Sequence, residues 1–514
     1  MNVALLLLGC LALMIPGMLL YSQVPGTAPW TPVVNRPLLP VIVQVPQRFA
    51  TVVSSQNMPL SLPDGWTASV FYTGSAVRKG RFLAWGPDST LYVASMTTGT
   101  IVALPDRNRD GIADTAIVAA SGFSNAHDVR FWRDTMFVCA EAGVFSLTDA
   151  NKDGVFETRR TRVDKTVQPN QMGGNHTTRS LAIDSINGFL FVSVGSRDNV
   201  ARENDRATIE RYTLDGGNRT IYATGVRNAV GITIHPRTGV LWANNNGSDR
   251  AGNDVPGEWV DIIRENGFYG YPFAWHHQTF FDFSNDPYRR LLPITADDSA
   301  KVASMVPPAA LITAHSAPMA LEFSHEGMPH GYRRGAFMVL RGSWNRQPAT
   351  GSKLVYFDFD NDDDTIANTV RDVCTGFMLD SMASPARRWG RPVGLALAAD
   401  GSIYLTSDDI THVILKLTPP PFATSVNNAS THEPPRLYPN PTQQHVTIDW
   451  PYLHVVRDYS IVSMSGEVLL KGALPSTTSG SATIDCSNLP SGRMVLHLVT
   501  DSGATAHLPF VIQR

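Results

Sequence analysis

Residues Gly80 to Ser95 read GRFLAWGPDSTLYVAS: an apolar run, a turn of Gly, Pro, Asp and Ser, and a second apolar run. The phrase returns as AHDVRFWRDTMFVCAE from Ala126, RSLAIDSINGFLFVSVGS from Arg179 and AVGITIHPRTGVLWANN from Ala229. It returns again as PMALEFSHEGMPHGYRRGAFMVLRGS from Pro318 and PVGLALAADGSIYLTSDD from Pro392. Two short apolar runs around turn residues predict a hairpin. Hairpins recurring at roughly 40–50 residues predict a β-propeller with one repeat per blade. Six copies predict six blades and an all-β chain.

Outward from the repeat, Pro419, Pro420 and Pro421 end the last strand, because proline cannot donate to a ladder. The propeller is expected over residues 63–419. Residues 24–62 are proline-rich and read as a linker or an edge-packing arm. After a polar linker (420–436), residues 437–514 alternate as LYPNPTQQHVTIDW, YSIVSMSGEVLLKGALP and IDCSNLPSGRMVLHLVTDSG, which predicts a small β-sandwich. One interval is long. Asp249 to about His315 carries Phe268, Tyr269, Tyr271, Phe273, Trp275, Phe280 and Phe281, suited equally to a functional rim or to core.

Residues 1–23 read as a signal peptide, with Val3 to Leu20 apolar and Tyr21, Ser22 and Gln23 polar; Leu7-Leu8-Gly9-Cys10 also fits a lipoprotein cleavage site. A formal charge of -3 over 514 residues gives no reason to expect nucleic acid. There is no C-x-x-C-H, hence no c-type haem of the chain's own, and Cys139 in MFVCA reads as a buried thiol.

Two acidic loops share one spacing: Asp106, Asn108, Asp110, Gly111, Asp114, and Asp149, Asn151, Asp153, Gly154, Glu157. Oxygens at positions 1, 3, 5 and 9 with Gly at 6 suit Ca²⁺. Position 12 lacks the bidentate Glu of an EF-hand, holding Ile117 and Arg160, so each loop is expected to staple neighbouring blades, with a metal-free polar turn as the alternative.

In a propeller the leading ends of the innermost strands converge at one mouth. Here these ends supply His127-Asp128, His176 with Arg179, Arg227-Asn228, His315-Ser316 and Arg391. Neighbouring strand ends add Gly247 to Asp249, Trp344-Asn345-Arg346 and Lys353. Cations with one imidazole suit an anionic planar ligand and a base beside it. His127 and His315 are expected to be structural.

The segments GGNHTTRSLAID, LFVSVGSRDN, GVRNAVGITIHP, NNNGSDRAGNDVPGEW, FYGYP, AHSAP, RGSWNR, TGSKLVYFDFD and GRPVGLALAADGSIYL resemble the soluble glucose/sorbosone dehydrogenases. Those are six-bladed propellers using pyrroloquinoline quinone (PQQ) and Ca²⁺. The resemblance implies oxidation of a sugar or sugar aldehyde by hydride transfer to PQQ, with electrons passing to an external cytochrome or quinone. It implies His176 as general base, Arg227 and Asn228 on the quinone oxygens, and Lys353 and Arg391 on its carboxylates. Trp344 would cover the ring, and Gly247 and Ser248 would offer carbonyls to Ca²⁺. Val230, and Ser248 where the family has Pro, depart from its pattern. The tail resembles type IX secretion sorting domains through Tyr438-Pro439-Asn440-Pro441, Ser465-Gly466 and Leu489-Pro490-Ser491-Gly492. That implies the secretion machinery as partner and a secreted or cell-surface location, with the periplasm as alternative. Two other readings are a Ca²⁺-dependent lactonase and a non-enzymatic surface propeller.

Overall fold

The computed structural model describes residues 30–34, 36–421, 436–450, 456–463, 467–474, 480–500 and 505–514. The signal peptide, Cys10, the Ser465-Gly466 turn and nearly all of the 420–436 linker lie outside these residues. The chain divides into two units, Met1–Pro420 and Pro421–Arg514.

The first unit is a ring of six four-stranded antiparallel blades, the third extended by one further strand. Their innermost strands are Gly80–Trp85, Asp128–Trp132, Leu181–Asp184, Ile232–Ile234, Pro318–Phe323 and Gly390–Leu397. Each repeat supplies the two inner strands of its blade. The hairpin turns form where the sequence places them: Asp184 Oδ1 accepts from Ile186 N and Asn187 N, and Gly188 takes φ +78°, a left-handed conformation that only Gly adopts at little cost.

Successive blades pack face to face, each interface with its own apolar cluster. Val129 and Val138 of blade two meet Tyr92 and Ile101 of blade one. Ala182 and Phe191 of blade three meet Ala243 and Trp259 of blade four. The ring closes where Thr67–Thr73 pairs with Val413–Thr418, so blade six takes its outer strand from the chain's beginning. Phe71 of that strand and Tyr404 then pack with Leu83 and Val93 of blade one.

Within 24–62, the described residues form an arm along the outer edge. Leu39–Val41 pairs with Leu60–Leu62, Val34 N donates to Val370 O, and Ser61 exchanges bonds with Thr375. The long interval holds blade four's own outer strands, Glu258–Ile262 and Ala310–Ile312, and a short helix, Ala296–Ala303, with a Thr295/Asp298 capping box. Its aromatics are mainly core: Phe268, Phe273, Phe281 and Tyr288 bury together, and Phe280 stays exposed.

At the far end of the axis, away from the leading ends, a cavity of about 370 Å³ is lined by all six innermost strands. Arg130 of blade two reaches Glu322 of blade five across it at 2.5 Å.

The second unit is a two-layer β structure. Arg436–Tyr438, His445–Trp450 and Gly480–Asp485 form one sheet; Val456–Ser463, Val468–Ala473, Gly492–Thr500 and Thr505–Ile512 form the other. Val446, Ile448, Ile461, Leu496 and Phe510 bury between them. Cys139, Cys374 and Cys486 are buried free thiols. Among the described residues no helix is long and apolar enough to cross a membrane.

Candidate active site at the propeller mouth

The mouth begins at blade three. His176 sits on an irregular segment ahead of Leu181–Asp184, beside Gly195 at the end of the second strand. A Cβ on Gly195 would stand 2.6 Å from His176 Cβ and 2.7 Å from Asn228 Oδ1, so only Gly lets these two groups close on one point. His176 Nδ1 lies 2.9 Å from Ser196 O and 3.0 Å from Ser196 Oγ. The Ser196 hydroxyl spends its own proton on Asp198 O at 2.7 Å. Both partners of Nδ1 are therefore acceptors, which assigns the ring proton to Nδ1 and the lone pair to Nε2. Nε2 has no protein hydrogen bond among the described residues. Burial and the charges of Arg227, Arg206 and Arg179 push the imidazole down to about 3, so it is neutral at ordinary pH.

Arg227 is buried, and all five of its N–H groups have protein acceptors. They reach Asn199 O and Oδ1, Asn246 O, Gly247 O and, at 3.4 Å, Asp249 Oδ2. It offers the mouth a fixed charge more than a free donor. The Asn228 main chain is held by Asn245 Oδ1 and Asn246 N, and its side-chain amide has no protein partner among the described residues. Behind Arg227 a cavity of about 20 Å³, room for one water, is walled by Trp259, Tyr269, Tyr271 and Trp275.

Blades five, six and one contribute cations. Asp408 accepts from Arg81 and, at 2.9 Å, from Arg341 Nε. Arg391 donates to Arg341 O and Gly342 O, and Arg388 to Ser343 O and Ser352 Oγ. Burial, then the nearby Arg341 and Arg388 charges, bring Arg391 down to about 10. Four guanidinium groups here face two carboxylates, Asp408 and Asp409. The positive charge left in excess on such partly buried arginines suits a ligand bearing several carboxylates. With the neutral base at His176 and the free amide of Asn228, the residues present fit PQQ.

Arg341 and Arg388 were not among the sequence candidates, although the run Arg387-Arg388-Trp389-Gly390-Arg391 carried the signal. Lys353 is not brought to the mouth. It begins a third strand and pairs with Asp372 of the outer strand at 2.6 Å, in a lateral groove with Trp30, Leu311 and Val370. Trp344 stands on the rim, 74% exposed.

Of the two carbonyls expected at Ca²⁺, that of Gly247 is already engaged. The Gly247 carbonyl accepts from the Arg227 guanidinium at 2.7 Å, so a divalent ion there would face a fixed cation, and the Ser248 hydroxyl bonds Tyr288. Glu258, on the Gly247 amide, is pushed up to about 8 by burial and is largely protonated at neutral pH.

His127 is fully buried, its ring tilted 43° against Phe82, with Nδ1 accepting from Arg81 Nε at 3.1 Å; burial and two nearby arginines hold it well below its usual range. His315 Nε2 lies 2.8 Å from Gly252 O.

The acidic loops join the third and outer strands of blades one and two. Each leans on the preceding blade: Ala113 N donates to Phe71 O of blade six, and Phe156 N to Ala119 O of blade one. Carboxylates of Asp149, Asp153 and Glu157 approach within 4.8 Å of one another. In the first loop Asp106 accepts from the amides of Asp110 and Gly111, Asn108 Oδ1 from Asp110 N, and Asp114 from Arg107 N.

The profile of the TrAA12-like family matches residues 60–417, and that of the secretion system C-terminal sorting domain matches residues 436–513. A pyrroloquinoline quinone-dependent pyranose dehydrogenase of Coprinopsis cinerea is 27% identical over 290 residues, 45% of this chain and 38% of that protein. The calcium structure of a Trichoderma reesei carbohydrate-active enzyme of family AA12 superposes with a TM-score of 0.57 at 21% identity, covering 70% of this chain and 96% of that one. The holo form of the Coprinopsis cinerea pyranose dehydrogenase PQQ domain gives 0.57 at 21% identity, covering 73% and 98%. At such identity the superpositions bear on fold. The profile spans the propeller from its closing strand to its last blade, and the chain belongs to the TrAA12-like family.

Proposed function

We propose that the propeller is a PQQ-dependent dehydrogenase oxidising a sugar or sugar aldehyde, exported through its C-terminal sorting domain to the cell surface or beyond. The observation that carries this reading is the neutral His176, its Nε2 lone pair free at a mouth where guanidinium groups outnumber carboxylates. The family match and the names of its relatives support it.

Arg341, Arg388 and Arg391 would hold the cofactor's carboxylates, while the Asn228 amide and the Arg227 charge would face its quinone oxygens. When bound, PQQ supplies the two-electron acceptor that takes hydride from the substrate carbon. His176 does the remaining chemistry: Nε2 takes the hydroxyl proton of a C1–OH or an aldehyde hydrate as that hydride leaves. The proton then sits on an imidazole whose Nδ1–H stays pinned by Ser196, so the ring does not turn between accepting and releasing it. Arg227 disfavours positive charge on His176 and favours the negative charge gained by a reduced ligand. With no haem motif in the chain, electrons leave to a separate cytochrome or quinone. The acidic loops are proposed as Ca²⁺ staples between blades. A lactonase would need carboxylate oxygens free at the axis, and Asp408 is consumed between Arg81 and Arg341.

The test is titration of the cofactor-free protein with PQQ, with and without Ca²⁺, followed by dye reduction over a panel of aldoses. Saturable PQQ binding and turnover are expected, with His176→Ala binding PQQ and losing turnover. No binding at any Ca²⁺ concentration would select the non-enzymatic propeller.

A further inference from the structure

Two arginines behind His176 are buried without ion-pair partners among the described residues: Arg206, 2% exposed, and Arg179, 0%. Burying a guanidinium this way is costly, and stability alone would favour a carboxylate beside it. Arg206 directs its donors to main-chain carbonyls. Nε reaches Gly195 O at 2.8 Å, Nη1 reaches Gly173 O at 2.7 Å, and Nη2 reaches His176 O at 2.9 Å and Ser196 O at 3.4 Å. One planar group thus ties together the segment that bears the imidazole and the carbonyl that receives its Nδ1–H. The segment cannot hold itself. It has neither helix nor strand, and Asn170, Gly173 and Gly174 adopt φ of +58°, +69° and +84°. Arg179 adds bonds to His176 O at 2.8 Å and Gln171 O at 2.6 Å.

We propose that Arg206 is a positioning residue for His176, clamping the loop that bears the imidazole to the strand end that accepts its Nδ1–H. The proposal rests on His176 being the base. A lysine could not replace the fork, because carbonyls in different directions need a rigid, planar donor. Arg206 also contributes charge. The cations facing the imidazole are Arg206, Arg179 and Arg227. Glu141, which accepts from Gly173 N, and Glu203, which accepts from Arg197 N and Asp198 N, offset Arg206 from a distance with Asp198. The Tyr271 phenol lies on the far side of Ser196.

Arg206→Lys and Arg206→Gln separate the two effects. In cofactor-free protein, nitrogen-15 histidine spectra read the tautomer and titration of His176; with PQQ bound, kcat is taken per active site. Arg206→Lys keeps the charge and loses the fork, so the titration stays in place while kcat falls on the order of 100-fold with little change in KM. Arg206→Gln loses both, so the titration also moves up by about one pH unit. If Arg206→Gln does not fold, Arg179→Gln reads the same charge effect. Wild-type kcat in Arg206→Lys, or an unmoved titration in the glutamine variant, overturns the proposal. Should the wild type itself oxidise no sugar, the tautomer in the cofactor-free spectra decides the clamp: loss of the single Nδ1–H form in Arg206→Lys supports it, an unchanged Nδ1–H form overturns it, and only the functional reading falls.

Discussion

His176 donates its Nδ1 proton to Ser196, at 2.9 Å to the carbonyl and 3.0 Å to the hydroxyl, and no carboxylate shares that bond. The partner is neutral, so only that hydrogen bond, and no negative charge, favours the imidazolium. Ser196→Asp should therefore raise the His176 pKa by roughly 1–3 units, moving the acid limb of kcat/KM to higher pH. Ser196→Ala, which keeps the carbonyl acceptor, should move it far less. Coincident pH profiles for wild type and Ser196→Asp would remove this bond from the account.

The wild-type pH dependence follows from the same imidazole. Its folded-state pKa is about 3, against ~6.5 in an unfolded chain. As pH falls below ~6.5 the unfolded chain takes up the proton first, so this group's contribution to stability is complete above that pH and declines as pH falls toward 3. Activity should persist well below pH ~6, where an ordinary histidine base would already be charged. Carboxylates of a bound cofactor offset the arginines, so His176 should titrate higher with PQQ bound than without it. Histidine spectra of both forms check the direction.

Arg388 and Arg391 should each matter to cofactor affinity. Removing one charge-assisted bond costs about 1.5–3 kcal/mol, so Arg388→Ala and Arg391→Ala should each weaken PQQ binding by roughly 10–150-fold. Lys353→Ala should leave affinity nearly unchanged, because its ammonium already belongs to Asp372. Titrations of the three variants decide between the residues.

Ca²⁺ should stabilise the ring through the acidic loops. A cation at 100 times its Kd adds about 2.7 kcal/mol, visible as a rise in Tm. Asp149→Ala with Asp153→Ala should abolish the part of that rise due to the second loop without altering PQQ affinity. A Ca²⁺-independent Tm in the wild type would leave these loops as polar turns.

The repeated phrase made the blades legible because hairpins are local: turn chemistry and alternating burial both lie within a dozen or so residues. The closing strand Thr67–Thr73 carried no such mark, since its partner Val413–Thr418 is some 340 residues away and only the ring defines the pairing. At the site, His176, Arg227, Asn228 and Arg391 could be read from strand ends that must converge. Lys353 occupied a similar position but a third strand, where it faces Asp372 instead of the mouth. Arg206 was invisible, because nothing in one sequence shows that an arginine's acceptors will be carbonyls 10 to 33 residues away.

The central claim is that His176 serves PQQ-dependent oxidation at this mouth. Its most direct test is anaerobic mixing of the PQQ-loaded protein with an aldose, without electron acceptor, following the cofactor absorbance in wild type and His176→Gln. One cofactor per propeller should be reduced in the wild type, and the variant should lose at least ~100-fold in rate while retaining PQQ affinity. Equal rates in the two proteins, or no reduction with any aldose, would contradict it.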